Sequence, residues 1–405
     1  MGVVFLTTLV GWIGFSLPFP VFSHLFLRTE HGLMGDGTPD TLRTLYFGIA
    51  LALYPLGQIL GAPFLGRLSD RVGRKPVLVW SLAATVIGSL ILALGVLEGS
   101  LFLVFFGRFL SGVSEGSLAI AQSLAADVSS EETKARNFAW IGIAIDLGFI
   151  AGPLIGGILA DTSVFPWTDI SFPFWLASFL FLLNVFVVAF LLRETSQKKS
   201  EHQTERGIMR MLFSKALFRS YLLSFAAFWA IMIFLEYFAV YFVQVFQTPP
   251  AELGLYAALV SLPLILAGLV VNRVVGLLGN RRTCGLSLLL MAIGLLLFIQ
   301  AESLLGLVLP MVIICIGVNF GQTATSVVIS NAASENEQGQ AMGIYRSVTV
   351  AAGGISALVG GSLAGLSPDY PFLTAIAACV IAGFFLPGRE KSRLTKTSER
   401  PQTAD

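Results

Sequence analysis

A chain of 405 residues that is 55% hydrophobic, only 12% charged and has a mean hydropathy of +0.82 is not an ordinary soluble domain, since such domains carry about 25% charged residues. A formal net charge of +1 leaves no electrostatic footprint for a phosphate backbone, which argues against nucleic acid as a partner. The three cysteines, Cys284, Cys315 and Cys379, are odd in number and read as buried thiols, not as a disulfide framework or a metal site.

Crossing roughly 30 Å of hydrocarbon takes about 20 mostly apolar residues. Segments of that kind fall, in chain order, near 3–26, 44–65, 77–97, 101–125, 137–160, 173–192, 219–244, 254–274, 283–299, 304–328, 341–364 and 369–387. The expected fold is therefore an all-α integral membrane protein of twelve transmembrane helices. The first segment contains Pro18 and Pro20 and lacks a basic n-region, so it is expected to be a span and not a signal peptide. His24, near its end, is expected at the membrane interface. Polar residues interrupt the fourth segment, where Arg108, Ser111, Glu115 and Gln122 share one helical face. Asp146 in the fifth segment and Glu236 in the seventh are further intramembrane acids. Charges there are costly and generally face a bundle interior or a watered cavity.

At 1.5 Å per residue, Glu115 and Asp146 lie at similar depth, as do Arg108 and Glu236, which makes an Arg108–Glu236 ion pair an expectation. Asp146, Glu115, Glu236 and Arg108 are the candidates for proton coupling, because a carboxylate that alternates between desolvation and a nearby arginine binds and releases a proton. Gln122, Tyr237, Tyr241, Asn319 and Gln322 are candidate cavity residues. Arg346 is expected at the interface, with a gate beside Tyr345 as the alternative, and Trp12, Phe225, Phe228, Trp229 and Phe320 against lipid, with the lining of an apolar site as the alternative.

Basic residues concentrate in short cytoplasmic loops. With the N-terminus inside, only Arg28 and Arg43 of the 25 Lys and Arg lie outside, and Arg108 and Arg346 lie in or beside the bilayer. Both termini are thus expected in the cytoplasm. The long polar stretch 194–218 reads as a linker between two pseudo-symmetric six-helix bundles, 1–193 and 219–387, with a tail at 388–405. An offset of 204–206 residues relates the halves: Gly73 falls on Gly279, Arg67 on Arg273, Gly156 and Gly157 on Gly360 and Gly361, and Asp127 on Asn331. Parallel repeats of this kind place a substrate site between two bundles that rock about it.

Two strings carry a resemblance. Gly66-Arg67-Leu68-Ser69-Asp70-Arg71-Val72-Gly73-Arg74-Lys75 resembles the G-x-L-x-D-R-x-G-R-[KR] loop of the major facilitator superfamily, and Gly148 to Gly157 (GFIAGPLIGG) resembles the G-x-x-x-G-P-x-x-G-G motif of its exporters. The resemblance implies a cytoplasmic gate formed by Gly66, Asp70, Arg71, Gly73 and Arg74 with Asp127, latching the outward-facing state. It also implies a helix-packing motif at Gly148, Gly152, Pro153, Gly156 and Gly157. Arg108 in GRFLSGVSEG is similar to the fourth-helix arginine associated with proton-coupled members. The branch most resembled is that of the twelve-helix tetracycline and multidrug proton antiporters, but Leu9 stands where tetracycline antiporters have an aspartate, which argues against tetracycline as the substrate.

The function expected is alternating-access secondary transport in the inner (cytoplasmic) membrane of the cell, as a monomer, with protons, a small organic substrate and the lipid bilayer as partners. Proton-coupled efflux is favoured over proton-coupled import of a nutrient or metal chelate, and both over a receptor or scramblase. No enzyme, cofactor or metal is expected, because His24, His31 and His202 form no cluster and no nucleophile triad or phosphate loop appears.

Overall fold

A computed structural model describes residues 1–31, 33–115, 124, 129, 131–192, 194, 214–334 and 337–386. Its helices are α1 (Gly2–Leu27), α2 (Asp40–Val72), α3 (Arg74–Leu97), α4 (Leu101–Ser114), α5 (Glu131–Ala160), α6 (Phe172–Leu191), α7 (Lys215–Phe246), α8 (Pro250–Leu278), α9 (Asn280–Ile299), α10 (Val308–Ala332), α11 (Gln338–Ala364) and α12 (Tyr370–Phe384). Ten of them are long and apolar enough to cross a membrane, while α4 and α12 are shorter apolar helices. The protein is a multi-pass membrane protein. Most of the second half of the expected fourth span, with Gln122 and Asp127, lies outside the described residues, as do most of 194–218 and the tail.

Local chemistry sets the breaks. Pro18 has no N–H to donate, so α1 is interrupted at Leu17 and resumes from Pro18 to Leu27. Gly73, with φ of +112°, makes the sharp turn between α2 and α3 that a side chain would strain. Glu194, just beyond α6, accepts from the backbone N–H groups of Arg74 (3.0 Å) and Lys75 (3.4 Å) and so caps α3. Replacing Glu194 with Ala should lower stability by about 1 kcal/mol, the usual cost of a lost cap, measured as a fall in melting temperature in detergent; an unchanged melting temperature would show that the cap contributes nothing.

The packing map repeats itself. In the first set, α1 lies against α5 and α6, α3 against α4 and α6, and α2 against α4. In the second, α7 lies against α11 and α12, α9 against α10 and α12, and α8 against α10. The two sets meet along two seams, α2 with α11 and α5 with α8. Within α5, Gly148, Gly152 and Gly156 face the backbone of α1, while Gly157 faces α8. A Cβ on Gly157 would stand 2.9 Å from the Cα of Gly254, and one on Gly361 would stand 2.9 Å from the Cα of Gly48. Only glycine permits backbones this close. The offset of 204–206 residues read from the sequence relates these two contacts to each other, since Gly157 maps to Gly361 and Gly48 to Gly254. Both lie near the end of the molecule that carries the α1–α2, α5–α6 and α7–α8 connections.

Candidate functional site

Between the two sets lies a cavity of about 150 Å³. Its wall is mostly aromatic and apolar, with Trp12, Phe15 and Phe19 from α1, Phe149 from α5, and Phe228 and Met232 from α7. Its polar groups are few: Tyr54 and Gln58 from α2, Arg108 and Glu115 from and just beyond α4, Glu236 from α7, Gln322 from α10, and Arg346 and Thr349 from α11. A concave apolar pocket with a small number of placed polar groups is the usual form of a small-molecule site.

Close packing positions these groups. Gly112 lies so near α2 that a Cβ there would be 2.9 Å from the Cα of Tyr54. That approach brings the Tyr54 hydroxyl onto the Glu115 carboxylate, to which it donates. The Arg108 guanidinium carbon sits 4.7 Å from the centre of the Tyr54 ring and 5.2 Å from that of Phe22. Its Nε donates to the carbonyl of Ala50 at 3.3 Å. Stacking on two ring faces compensates a desolvated guanidinium where water is scarce. Glu236 accepts from the Ser356 hydroxyl of α11 at 3.1 Å. Arg108, Glu115 and Glu236 are all at most 8% exposed. Two arginines, Arg108 and Arg346, and two acids, Glu115 and Glu236, give the cavity a formal charge of zero when all four are ionised.

The structure thus brings Arg108, Glu115, Glu236 and Gln322 together and leaves other expected residues elsewhere. Arg108 and Glu236 share the cavity, but their hydrogen bonds go to Ala50 and Ser356 and not to each other. Asp146 does not line the cavity. It lies 7 and 11 residues before Pro153 and Gly157, hence on the α5 face turned toward α8. Tyr237 and Tyr241 do not line the cavity: Tyr237 is 1% exposed and donates to the Ala357 carbonyl, and Tyr241 packs on Phe298 and Phe372. Asn319 donates to the Leu264 carbonyl at 3.1 Å, tying α10 to α8. Asp70 and Arg71 are exposed at the end of α2, and Asp127, their expected partner, is outside the described residues.

Three placements correct the sequence reading. Arg346 is eight residues into α11 and lines the cavity, so it is not interfacial. Trp12 and Phe228 line the cavity, as the apolar-site alternative had it, and Phe320 is 5% exposed in a small core, so these three are not in the lipid-facing role, while Phe225 and Trp229 are half-buried against the core. His24 is 2% exposed, with Nδ1 3.0 Å from the Pro20 carbonyl and Nε2 2.8 Å from that of Thr248. For Arg346 a signal existed, since eight residues at 1.5 Å is about 12 Å of depth. Tyr54 and Ser356 carried none, because an isolated hydroxyl in an apolar helix is common.

Comparison with known proteins agrees with this architecture. The model of the Major Facilitator Superfamily matches residues 4–248 and 220–404. The chain is 31% identical over 339 residues to the class G tetracycline resistance protein of Vibrio anguillarum, covering 78% of this chain and 82% of that protein. It is 25% identical over 393 residues to multidrug resistance protein 2 of Bacillus subtilis (strain 168), covering 94% and 93%. The crystal structure of a D-xylose-proton symporter shares the fold, with a TM-score of 0.74 at 16% identity over 95% of this chain and 97% of that one. With its repeated packing map and its central cavity, the chain belongs to the Major Facilitator Superfamily, whose members are transporters and not enzymes.

Proposed function

We propose that this protein exports a small organic compound in exchange for protons, by alternating access between the halves 1–193 and 219–387. In this reading α4 and α12 also span the bilayer, giving twelve spans. Both termini and the linker 194–218 face the cytoplasm, the membrane is the bacterial inner membrane, and the monomer suffices. The observation that carries the proposal is the convergence of Arg108, Glu115 and Glu236, all buried, on one aromatic cavity between the halves.

A buried ionised carboxylate costs several kcal/mol unless it is paired or takes up a proton. Glu115 and Glu236 therefore each hold a proton, or attract a donor group of the substrate, but not both at full strength, and that competition is the basis of exchange. Arg108 favours the ionised form and so promotes proton release. Asp146, outside the cavity, is not required for it. Efflux is supported by the GFIAGPLIGG string and by relatives named for tetracycline and multidrug resistance. The glycine seams then close the outer face, and the cavity is reached from the cytoplasm. The exposed Asp70 suits this state, because the loop it belongs to latches the opposite one.

The test is transport by purified protein in inside-out proteoliposomes with an acid lumen, screened against drugs and metabolites. Accumulation that collapses with the gradient is expected. Accumulation that ignores the gradient would remove proton coupling, and substrate movement in the same direction as protons would make the protein an importer.

A further inference from the structure

The two seams differ in chemistry. Both α2 and α8 begin after a proline, Pro39 and Pro249, that supplies no side-chain cap, so their first N–H groups need partners from elsewhere. At α8 the partner comes from the other half: the Asp161 carboxylate, just past α5, accepts from the N–H of Ala251 at 3.2 Å. Its other oxygen accepts from the backbone N–H and hydroxyl of Ser163, at 2.9 and 2.6 Å. Burial pushes the Asp161 carboxyl up, but the bonds from Ser163 and Ala251 outweigh it and hold the group below the usual carboxylate range. An ionised acid at a helix N-terminus is favoured by the helix dipole. Beside it, His24 of α1 reaches the carbonyl of Thr248 at the α7–α8 corner. Two polar links therefore cross from the first half to the same corner of the second.

The other seam has no such link among the described residues. The repeat offset of 204 places Gly365 where Asp161 stands. Gly365 packs on the start of α2, and a Cβ there would fall 2.5 Å from the hydroxyl of Thr44 and 3.0 Å from the backbone nitrogen of Thr41. The Thr44 hydroxyl keeps its own bonds within α2, to the carbonyls of Asp40 and Thr41, and a close contact without a hydrogen bond across it tolerates rotation. Directional hydrogen bonds do not, and they are exchanged for water when they break. Water is at hand, because Asp161, His24, Arg28, Gln247 and Thr248 line a polar cavity of about 620 Å³ at this end.

We infer that the outer closure opens on one side only: Asp161 and His24 latch the α5–α8 seam, the Gly365 contact of α11 with α2 is the pivot, and substrate leaves through the polar cavity beside the latch. This rests on the proposed orientation and transport cycle. The nearest charges are Arg28, Glu30 and Asp169, all on the connecting loops at this end.

Two cross-linkable pairs test it, and the native cysteines, all buried, do not interfere. Thr162→Cys with Gln247→Cys spans the latch, where both residues line the polar cavity. Asp40→Cys with Leu366→Cys spans the pivot. A short bifunctional thiol reagent on the latch pair should stop transport, with at least a tenfold fall, while the same reagent on the pivot pair should leave more than half of it. Equal loss at both pairs, or loss at the pivot pair alone, overturns the inference. A second arm needs no substrate: spin labels on the same pairs should show that Asp161→Ala shifts the latch pair toward longer distances, by about tenfold in the ratio of populations, with the pivot pair unmoved. A shift of both pairs, or of neither, overturns it as well. Failure of the untreated protein to transport in any gradient would instead count against the proposed function, and the distance arm would still decide the latch.

Discussion

Glu115→Gln is expected to abolish proton-driven accumulation, with a loss on the order of 100-fold or more, while downhill exchange of substrate continues. Glutamine fills the same volume and still accepts from Tyr54, so the packing around Gly112 is kept. What it cannot do is hold and release a proton. Glu236→Gln should behave alike, since Ser356 can donate to the amide oxygen as it does to the carboxylate. Tyr54→Phe removes one hydrogen bond and no titrating group, so its effect should be smaller, about tenfold or less. Asp146→Asn should retain gradient-driven transport because that residue does not line the cavity. The measurement is substrate accumulation against an imposed pH gradient, set beside counterflow without one. If Glu115→Gln lost both activities equally, Glu115 would be a packing residue and not the coupling site.

Gly157→Val should displace the protein from the outer-closed state, while Gly361→Val, on the α2–α11 seam that serves as the pivot, should destabilise the protein without opening the outer face. A valine Cβ at either position meets backbone: the carbonyl of Thr44 lies 2.6 Å from the one at Gly361, and the Cα of Gly254 lies 2.9 Å from the one at Gly157. Backbone cannot rotate aside as a side chain can, so the helices must separate, at a cost of about 1–3 kcal/mol per site. In Gly157→Val the closed population should fall roughly 5- to 150-fold, with transport at least tenfold lower. Gly142→Ala, whose Cβ would meet nothing within 4 Å, is the control. Reaction of an impermeant thiol reagent from the outside with a cysteine placed at Gln58 reports the change. Unaltered labelling in Gly157→Val would mean that the α5–α8 glycine seam does not set the closure.

Much of this was legible in the sequence, and for a physical reason. Hydrophobic runs of membrane length, breaks at Pro18 and Gly73, and the spacing of Gly148, Gly152 and Gly156 are local properties, and local properties survive folding almost unchanged. The scarcity of intramembrane charge also made Arg108, Glu115 and Glu236 conspicuous, because a charge in hydrocarbon must find a cavity or a partner. Even the offset of 204–206 residues anticipated that the two seams are related, through Gly157 and Gly361.

Which side chain meets which was decided only by tertiary structure. Depth along a helix is set by residue count, but direction around the cavity is set by how neighbouring helices pack. Glu115 and Asp146 were therefore level by arithmetic and yet face different places, one toward Tyr54 and the other toward α8. The same holds for Tyr237, Tyr241 and Asn319, whose hydroxyl and amide N–H donors go to carbonyls of packed helices. His24 went the other way, from an expected interface position into the protein, and Arg346 onto the cavity wall, where it stays exposed, because α1 is held against the α7–α8 corner and α11 against α2. Sequence alone determined that the chain is a multi-pass, all-helical membrane protein with few charges in its apolar segments. The pairing of Asp161 with Ala251, and the contrast with Gly365, arose only when residues far apart in the chain met across the seams.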